Sequence, residues 1–372
     1  MTFTKSPKNP YKKEPAFSFI KIMVDRKAQG SPLTQEILKT LAHLPQEWVE
    51  EDRPRFPLMN RTSSKRVLYL THFQGQLVKP CPGTKDYLCC GYQILHTAVN
   101  CPMDCSYCIL QAYFNQPFVR LFVNTEEIFR QLHEFLIRHQ DETIRLGTGE
   151  FTDSLVLDPL TRFSSCLLQE ILPHPKVVVE LKTKSAAIDS LLRLNHPEKF
   201  IIAWSLNPAE LIKREEKGSA PLSKRLSAAR QCQDKGYRLG FHFDPIFYFP
   251  GWEEAYRRTV QRLFSKIEAG RIAWISLGCF RYLPELRSIM EGRQPASRLI
   301  HEEFIPALDK KMRYLQVRRV EIYAKMVEWI RRYGGDCLVY LCMENEAVWE
   351  KVFGFIPGQG SPSLKEMLDQ RV

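Results

Sequence analysis

The sequence has no uninterrupted apolar run of about 18 residues, the length a bilayer-spanning helix requires, so no membrane span is expected. Residues Met1 to Lys13 are basic and polar with no apolar segment behind them, which is not the pattern of a secretory leader. Internal repeats and low-complexity tracts are missing too, and with them the solenoid and linker-like classes. An even cysteine count is lacking. Eleven cysteines suit free thiols or metal ligands in a reducing compartment better than a disulfide framework, so the expected location is the cytoplasm. Acidic residues are in deficit, 42 against 53 Lys and Arg, leaving a net charge of +11. Such an excess attracts polyanions, because Lys and Arg displace counterions from phosphate backbones, although a basic soluble protein without such a partner fits the same number.

What is present is a rhythm. Apolar stretches at Tyr92–Ala98, Thr143–Gly147, Val177–Thr183, Phe200–Leu206, Tyr237–Phe243 and Ile272–Gly278 read as strands. Helical spacing lies between them at Glu126–His139, Leu160–Leu172, Ala186–Leu194, Ser223–Lys235 and Trp252–Ala269. Short, nearly continuous apolar strands alternating with amphipathic helices predict a parallel sheet covered by helices. Six such units predict an α/β fold, an incomplete (β/α)6 TIM-like barrel over residues 86–300, whose chemistry belongs at the C-terminal ends of the strands. Residues 1–85 form an N-terminal extension, rich in proline, with one short helix near Thr34–Leu44 and a strand at Val67–Thr71. Residues 301–372 form a basic helical region with a possible last strand at Cys337–Met343. From Lys310 to Arg332 eight basic residues face two acids, with Tyr314, Tyr323 and Trp329 interleaved.

The loop after the first barrel strand reads Cys101-Pro102-Met103-Asp104-Cys105-Ser106-Tyr107-Cys108. Three thiolates at C-x3-C-x2-C spacing can each hold one iron of a [4Fe–4S] cubane and leave the fourth open. An open iron suits a chelating ligand such as the amino and carboxylate groups of S-adenosyl-L-methionine (SAM), whose reductive cleavage gives a 5′-deoxyadenosyl radical. Structural cysteines and a zinc site are the blander readings. Core packing does not ask for three thiols in eight residues, and zinc would bring paired C-x2-C units with a fourth ligand. Strand two ends in Gly147-Thr148-Gly149-Glu150. This resembles the glycine-glutamate motif of the radical SAM superfamily, in which Gly149 and Glu150 would take the methionyl ammonium; alone, it also fits an ordinary turn.

From about Gly91 to Tyr340 the chain resembles the spore photoproduct lyase family, radical enzymes that repair a methylene-bridged thymine dimer in DNA. The resemblance rests on the cysteine loop running into Leu110-Gln111, on Phe118–Asn124, Asp158–Thr161, Thr183-Lys184, Ser205–Asn207, Gly236–Gly240, Pro245-Ile246, Gly251–Glu253 and Phe280-Arg281. It implies a SAM-binding partial barrel with Thr152, Lys184 and Ser205 at cofactor-contacting positions, each also at or after a predicted strand end. It implies a lyase acting on damaged DNA, with an electron donor such as flavodoxin or ferredoxin. Two departures stand out. The family's cysteine that returns a hydrogen atom to the product radical is replaced by Glu150. Of two assisting tyrosines Tyr107 matches the first, while Ile109 occupies the second position.

Cys279, at the end of strand six, is a candidate substitute donor that would point into the same cavity; an inert buried thiol is the alternative. Asp244 at the end of strand five is a candidate cofactor contact or a loop cap. Arg281 and Tyr282 would face substrate, and Lys310, Lys311, Arg313, Arg318 and Arg319 would grip a phosphate backbone, unless they form an ordinary solvated face. Cys81, Cys89 and Cys90 are read as structural or incidental. Two rivals follow: radical SAM chemistry on RNA, a peptide or a metabolite, and a non-catalytic, metal-containing nucleic-acid-binding protein.

Overall fold

A computed structural model describes residues 19–50, 64–83 and 87–372. Seven parallel strands form a curled sheet: β1 (Gln93–Leu95), β2 (Ile144–Gly147), β3 (Val177–Thr183), β4 (Phe200–Ser205), β5 (Arg238–Ile246), β6 (Ile272–Cys279) and β7 (Val339–Leu341), side by side in chain order. Val78–Pro80 adds an antiparallel strand beyond β1. Every residue of β4 and β6 is buried, as a sheet covered on both faces demands. The barrel is thus incomplete, with β7 added to the six expected strands.

Helices α1 (Thr125–Arg138), α2 (Phe163–Ile171), α3 (Leu222–Asp234), α4 (Trp252–Phe264) and α5 (Gln316–Gly334) serve the crossovers. In α1 the buried residues Ile128, Leu132 and Leu136 recur every fourth position, while Glu126 and Glu127 open the helix and Arg138 closes it, matching the helix dipole. The expected helix at Ala186–Leu194 is a single 3-10 turn, Leu191–Arg193. Its serines satisfy other groups. Ser185 Oγ accepts from the Ala187 amide, and the Ser190 hydroxyl donates to buried Asp158, so local hydrogen bonds outcompete the helix.

The expected strand Tyr92–Ala98 is split. Gln93–Leu95 joins the barrel, whereas Ala98–Val99 joins a second sheet of order Gln46–Val49, Lys21–Asp25, Val67–Thr71, Val119–Phe122, Ala98–Val99. Residues from both sides of position 85 therefore share one sheet. Asp25, buried, accepts from the Lys27 amide (3.0 Å), Thr71 Oγ1 (3.1 Å) and the Tyr69 hydroxyl (3.4 Å), tying Lys21–Asp25 to the adjacent strand Val67–Thr71. This sheet clamps the segment immediately before Cys101 and the segment after Cys108. A small antiparallel sheet of Arg281–Tyr282, Met312–Tyr314 and Phe304–Pro306 closes the end of β6. Part of the basic stretch is thus strand, and the rest is α5, packed on α4 through Trp252 and Trp329 at 6.0 Å. Among the described residues no helix is long and apolar enough to cross a membrane.

Candidate active site

The cysteine loop is held from four directions. Asn100, in the left-handed region at φ 65°, donates to the carbonyls of Gln116 and Phe118. Asp104 pairs with Arg293 (2.7 Å) and Lys65 (3.4 Å), and Lys65 also donates to the Met103 carbonyl. Gln111 Nε2 donates to the Ser106 carbonyl at 2.9 Å. On the fourth side Asp104 and Cys105 pair antiparallel with Lys217 and Glu216, and the Ser106 amide donates to the Glu215 carbonyl at 2.8 Å.

Cys101, Cys105 and Cys108 line one cavity of about 570 Å³ at the C-terminal ends of the strands, together with Gly149, Glu150, Thr152, Lys184, Ser205, Asp244, Arg281 and Lys311. A larger hollow, about 910 Å³, lies outside the barrel and contains none of these residues. The strand ends carry the chemistry here, so the smaller cavity is the candidate active site.

Tyr107 sits between opposite charges. Its hydroxyl donates to Glu216 Oε1 and accepts from Lys184 Nζ at 2.7 Å. Lys184 lies 3.4 Å from Glu216 and 3.9 Å from Cys105 Sγ. Glu216 is fully buried and paired with fully buried Arg225 at 2.5 Å. Burial opposes its charge, but Lys184 and Arg225 outweigh it and hold the carboxyl down at about 2. Lys184 is likewise held above the usual lysine range by Cys105 and Glu216 in spite of burial. Asp153 arranges the loop after β2, accepting from the Leu155, Val156 and Lys184 amides and from Thr183 Oγ1. Asp244 forms a two-pronged pair with Arg281 at 3.1 and 3.2 Å. Only glycine at 278 leaves room for it, since a Cβ there would stand 2.7 Å from the Asp244 carboxylate.

Cys279 does not line the cavity. Its backbone amide donates to the Tyr323 hydroxyl at 2.8 Å and its thiol is buried near Glu344 and Arg319, because the chain turns Phe280 and not Cys279 toward the site. The expectation that it points inward is corrected. Tyr282 is buried outside the cavity wall with an unpartnered hydroxyl. Arg313 and Arg319 are also not free to grip phosphate. Arg313 is bound to Asp309 (2.7 Å) and the Met343 carbonyl, and Arg319 to Glu344 (2.9 Å) and the Tyr314 carbonyl. Lys311 reaches the cavity beside Asp309, while Lys310 stays exposed and Arg318 is half-buried over the Tyr248 ring, pairing with Glu321.

Sequence reasoning missed two wall residues, Lys182 and Cys81, and Glu216 behind Tyr107. Lys182 lies two residues before Lys184 on one strand face and is held charged by Asp244 and Glu150 against burial. Two lysines ending an apolar strand were a legible signal. Cys81 reaches the wall because its amide donates to the Tyr92 carbonyl (2.9 Å) next to β1, a placement its spacing does not reveal. Glu216 lies in Lys213–Lys217, a run that reads as solvated charge.

The model of the spore photoproduct lyase family matches residues 89–326, a span that contains every cavity residue named above except Cys81 and Met343. The chain belongs to the spore photoproduct lyase family. The Bacillus subtilis (strain 168) spore photoproduct lyase is 33% identical over 262 residues, 70% of this chain and 71% of that one. The lyase of Geobacillus sp. (strain Y412MC61) is 28% identical over 209 residues, 55% of this chain and 61% of that one. A solved spore photoproduct lyase double mutant with bound AdoMet and dinucleoside spore photoproduct superposes with a TM-score of 0.79 at 22% identity, covering 88% of this chain and all of that one.

Members of this family are radical SAM enzymes, and a [4Fe–4S] cluster with SAM is their working pair. The residues present fit both groups. Three thiols share one wall, and burial pushes Cys101 well up and Cys105 to about 11, so their thiolates need a cationic metal beside them. Among the described residues no three metal-ligating side chains converge on one ion, as mononuclear zinc would require. Thr152 Oγ1 is buried in the wall without a partner, a vacancy a polar cofactor atom satisfies.

Proposed function

We propose that this chain is a DNA photoproduct lyase, holding its cluster on Cys101, Cys105 and Cys108 and acting on a pyrimidine dimer extruded into the cavity. The observation that carries this reading is the single cavity in which the three thiols meet the ends of β2 to β6. Cluster and SAM, when bound, supply a 5′-deoxyadenosyl radical; a one-electron carrier such as flavodoxin or ferredoxin supplies the electron.

The protein binds and orients. Gly149, Glu150, Thr152, Lys184, Ser205 and Asp244 hold the cofactor, with carboxylates toward its ammonium and hydroxyls and Lys184 toward its acceptors. Phe114, Phe151 and Phe280 give the cavity apolar walls on which bases stack. Arg281 and Lys311 supply positive charge for phosphate. Tyr107 keeps its proton, since burial and the Glu216 carboxylate raise it well above the usual tyrosine range. Extruding a dimer costs a few kcal/mol, least where stacking is already damaged.

Glu150 cannot return a hydrogen atom efficiently. Apart from the three cluster ligands, Cys81 is the thiol among the residues lining the cavity. Burial and nearby Glu150 keep it protonated, the form that transfers a hydrogen atom. In this reading the hydrogen atom leaves Cys81 Sγ for the product carbon, and one electron from the carrier with one proton from solvent returns the sulfur radical to the thiol, so deoxyadenosine is released. Anaerobically reconstituted protein is expected to form deoxyadenosine and restored thymines only with a lesion-bearing oligonucleotide. Deoxyadenosine formation indifferent to the lesion would overturn the DNA substrate and favour the metabolite, peptide or RNA alternatives.

A further inference from the structure

The larger hollow, about 910 Å³, is a groove between helix Ala209–Glu215, α3 and the end of α4. Five exposed cations ring it: Lys213, Lys217, Arg230, Arg262 and Lys266. Against them stands one exposed acid, Glu210, because Glu216, which also lines the groove, is spent on Arg225 and Lys184. Among the described residues Lys213, Arg262 and Lys266 have no ion-pair partner, whereas Arg230 is shared with Asp234 and Glu268. Ile212 and Leu226 are buried in the floor. An apolar floor with a charged rim is the anatomy of a protein docking surface.

Its position gives it meaning. The groove wall at Glu216 and Lys217 is the strand paired with Cys105 and Asp104. Glu216 lies in the groove wall with its carboxylate turned inward to take the Tyr107 hydroxyl, and Tyr107 lines the active-site cavity. One strand therefore separates the groove from a cluster ligand, on the side away from cofactor and substrate.

We infer that this groove docks the acidic one-electron carrier protein that reduces the cluster. The inference rests on the radical SAM reading and locates its reductant. One electron passes from the carrier to the cluster, oxidising the carrier by one electron, with no atom transferred. Cations around the rim speed encounter with an acidic partner and fix its register. The groove also leaves the cavity free, so reduction and substrate binding do not compete.

The test uses the reconstituted holoenzyme and a Lys213→Glu/Arg262→Glu/Lys266→Glu variant, with flavodoxin as probe. These side chains are exposed and lack acidic partners, so folding is retained, checked by an unchanged melting curve. Flavodoxin affinity, by calorimetry at low salt, is expected to fall roughly tenfold or more. Flavodoxin-driven deoxyadenosine formation falls with it, while dithionite-driven formation stays at the wild-type level. Unchanged flavodoxin affinity would overturn the inference. So would a variant that keeps flavodoxin but loses a lesion-bearing oligonucleotide, which would make the groove a DNA surface. Failure of dithionite to drive the wild type would count against the radical reading alone, since the calorimetric comparison reads the groove separately.

Discussion

Two sets of cations behave oppositely in this molecule. Lys310–Arg332 is dense in positive charge along the chain, yet Arg313 and Arg319 lie inside, bound to Asp309 and Glu344. The groove cations come from three separate segments, 213–217, 230 and 262–266, and all face solvent. Charge density in a sequence thus does not report charge at a surface. The partner acids decide, and they are brought in by the fold.

The largest expected effect sharpens this contrast on stability. Arg319→Met removes the nearer cation of the buried Glu344 carboxylate and leaves it Tyr323 and Arg313 at 3.9 Å, and is expected to cost about 3 kcal/mol in urea unfolding. The groove substitutions above should stay within about 0.5 kcal/mol. A loss under about 1 kcal/mol for Arg319→Met would mean that the two sets do not differ.

Acid comes next. The Glu216 carboxyl is lowered from 4.5 to about 2, so its stabilisation is complete above about 4.5 and disappears as pH falls toward 2. The unfolded chain binds this proton first, which fixes the sign. Glu216→Gln is expected to flatten that part of a stability-against-pH curve, and a curve as steep as the wild type's would contradict the assignment.

The two thiols make a smaller, product-level comparison. Cys81→Ala is expected to keep cofactor cleavage but divert product to trapped adducts, while Cys279→Ala leaves the product distribution as it is. The opposite outcome would return the donor role to Cys279. Smallest is the effect at Lys310 and Arg318. Lys310→Ala and Arg318→Ala should each weaken oligonucleotide binding a few-fold and reduce its salt slope by about 1, with sequence preference unchanged.

The barrel was legible because parallel strands buried on both faces leave nearly continuous apolar runs, as in Phe200–Ser205. The N-terminal sheet was not, since Lys21–Asp25 is short and bracketed by charge, and Val119–Phe122 lies about fifty residues beyond Val67–Thr71, the strand it pairs with. At the site, cysteine spacing and strand-end position identified the residues with local signatures, Cys101, Cys105, Cys108 and Lys184. Glu216 has no such signature. Its role depends on a two-residue bridge to Asp104 and Cys105 and on Arg225 nine residues later, both set by tertiary packing.

The central claim is that three thiols on one cavity wall hold a cluster with an iron open to SAM. Electron paramagnetic resonance of the anaerobically reconstituted, reduced protein tests it most directly. The account predicts a [4Fe–4S]⁺ signal whose g-values shift when SAM is added, and that is absent from a Cys105→Ala variant. A signal indifferent to SAM, or unchanged by that substitution, would contradict it.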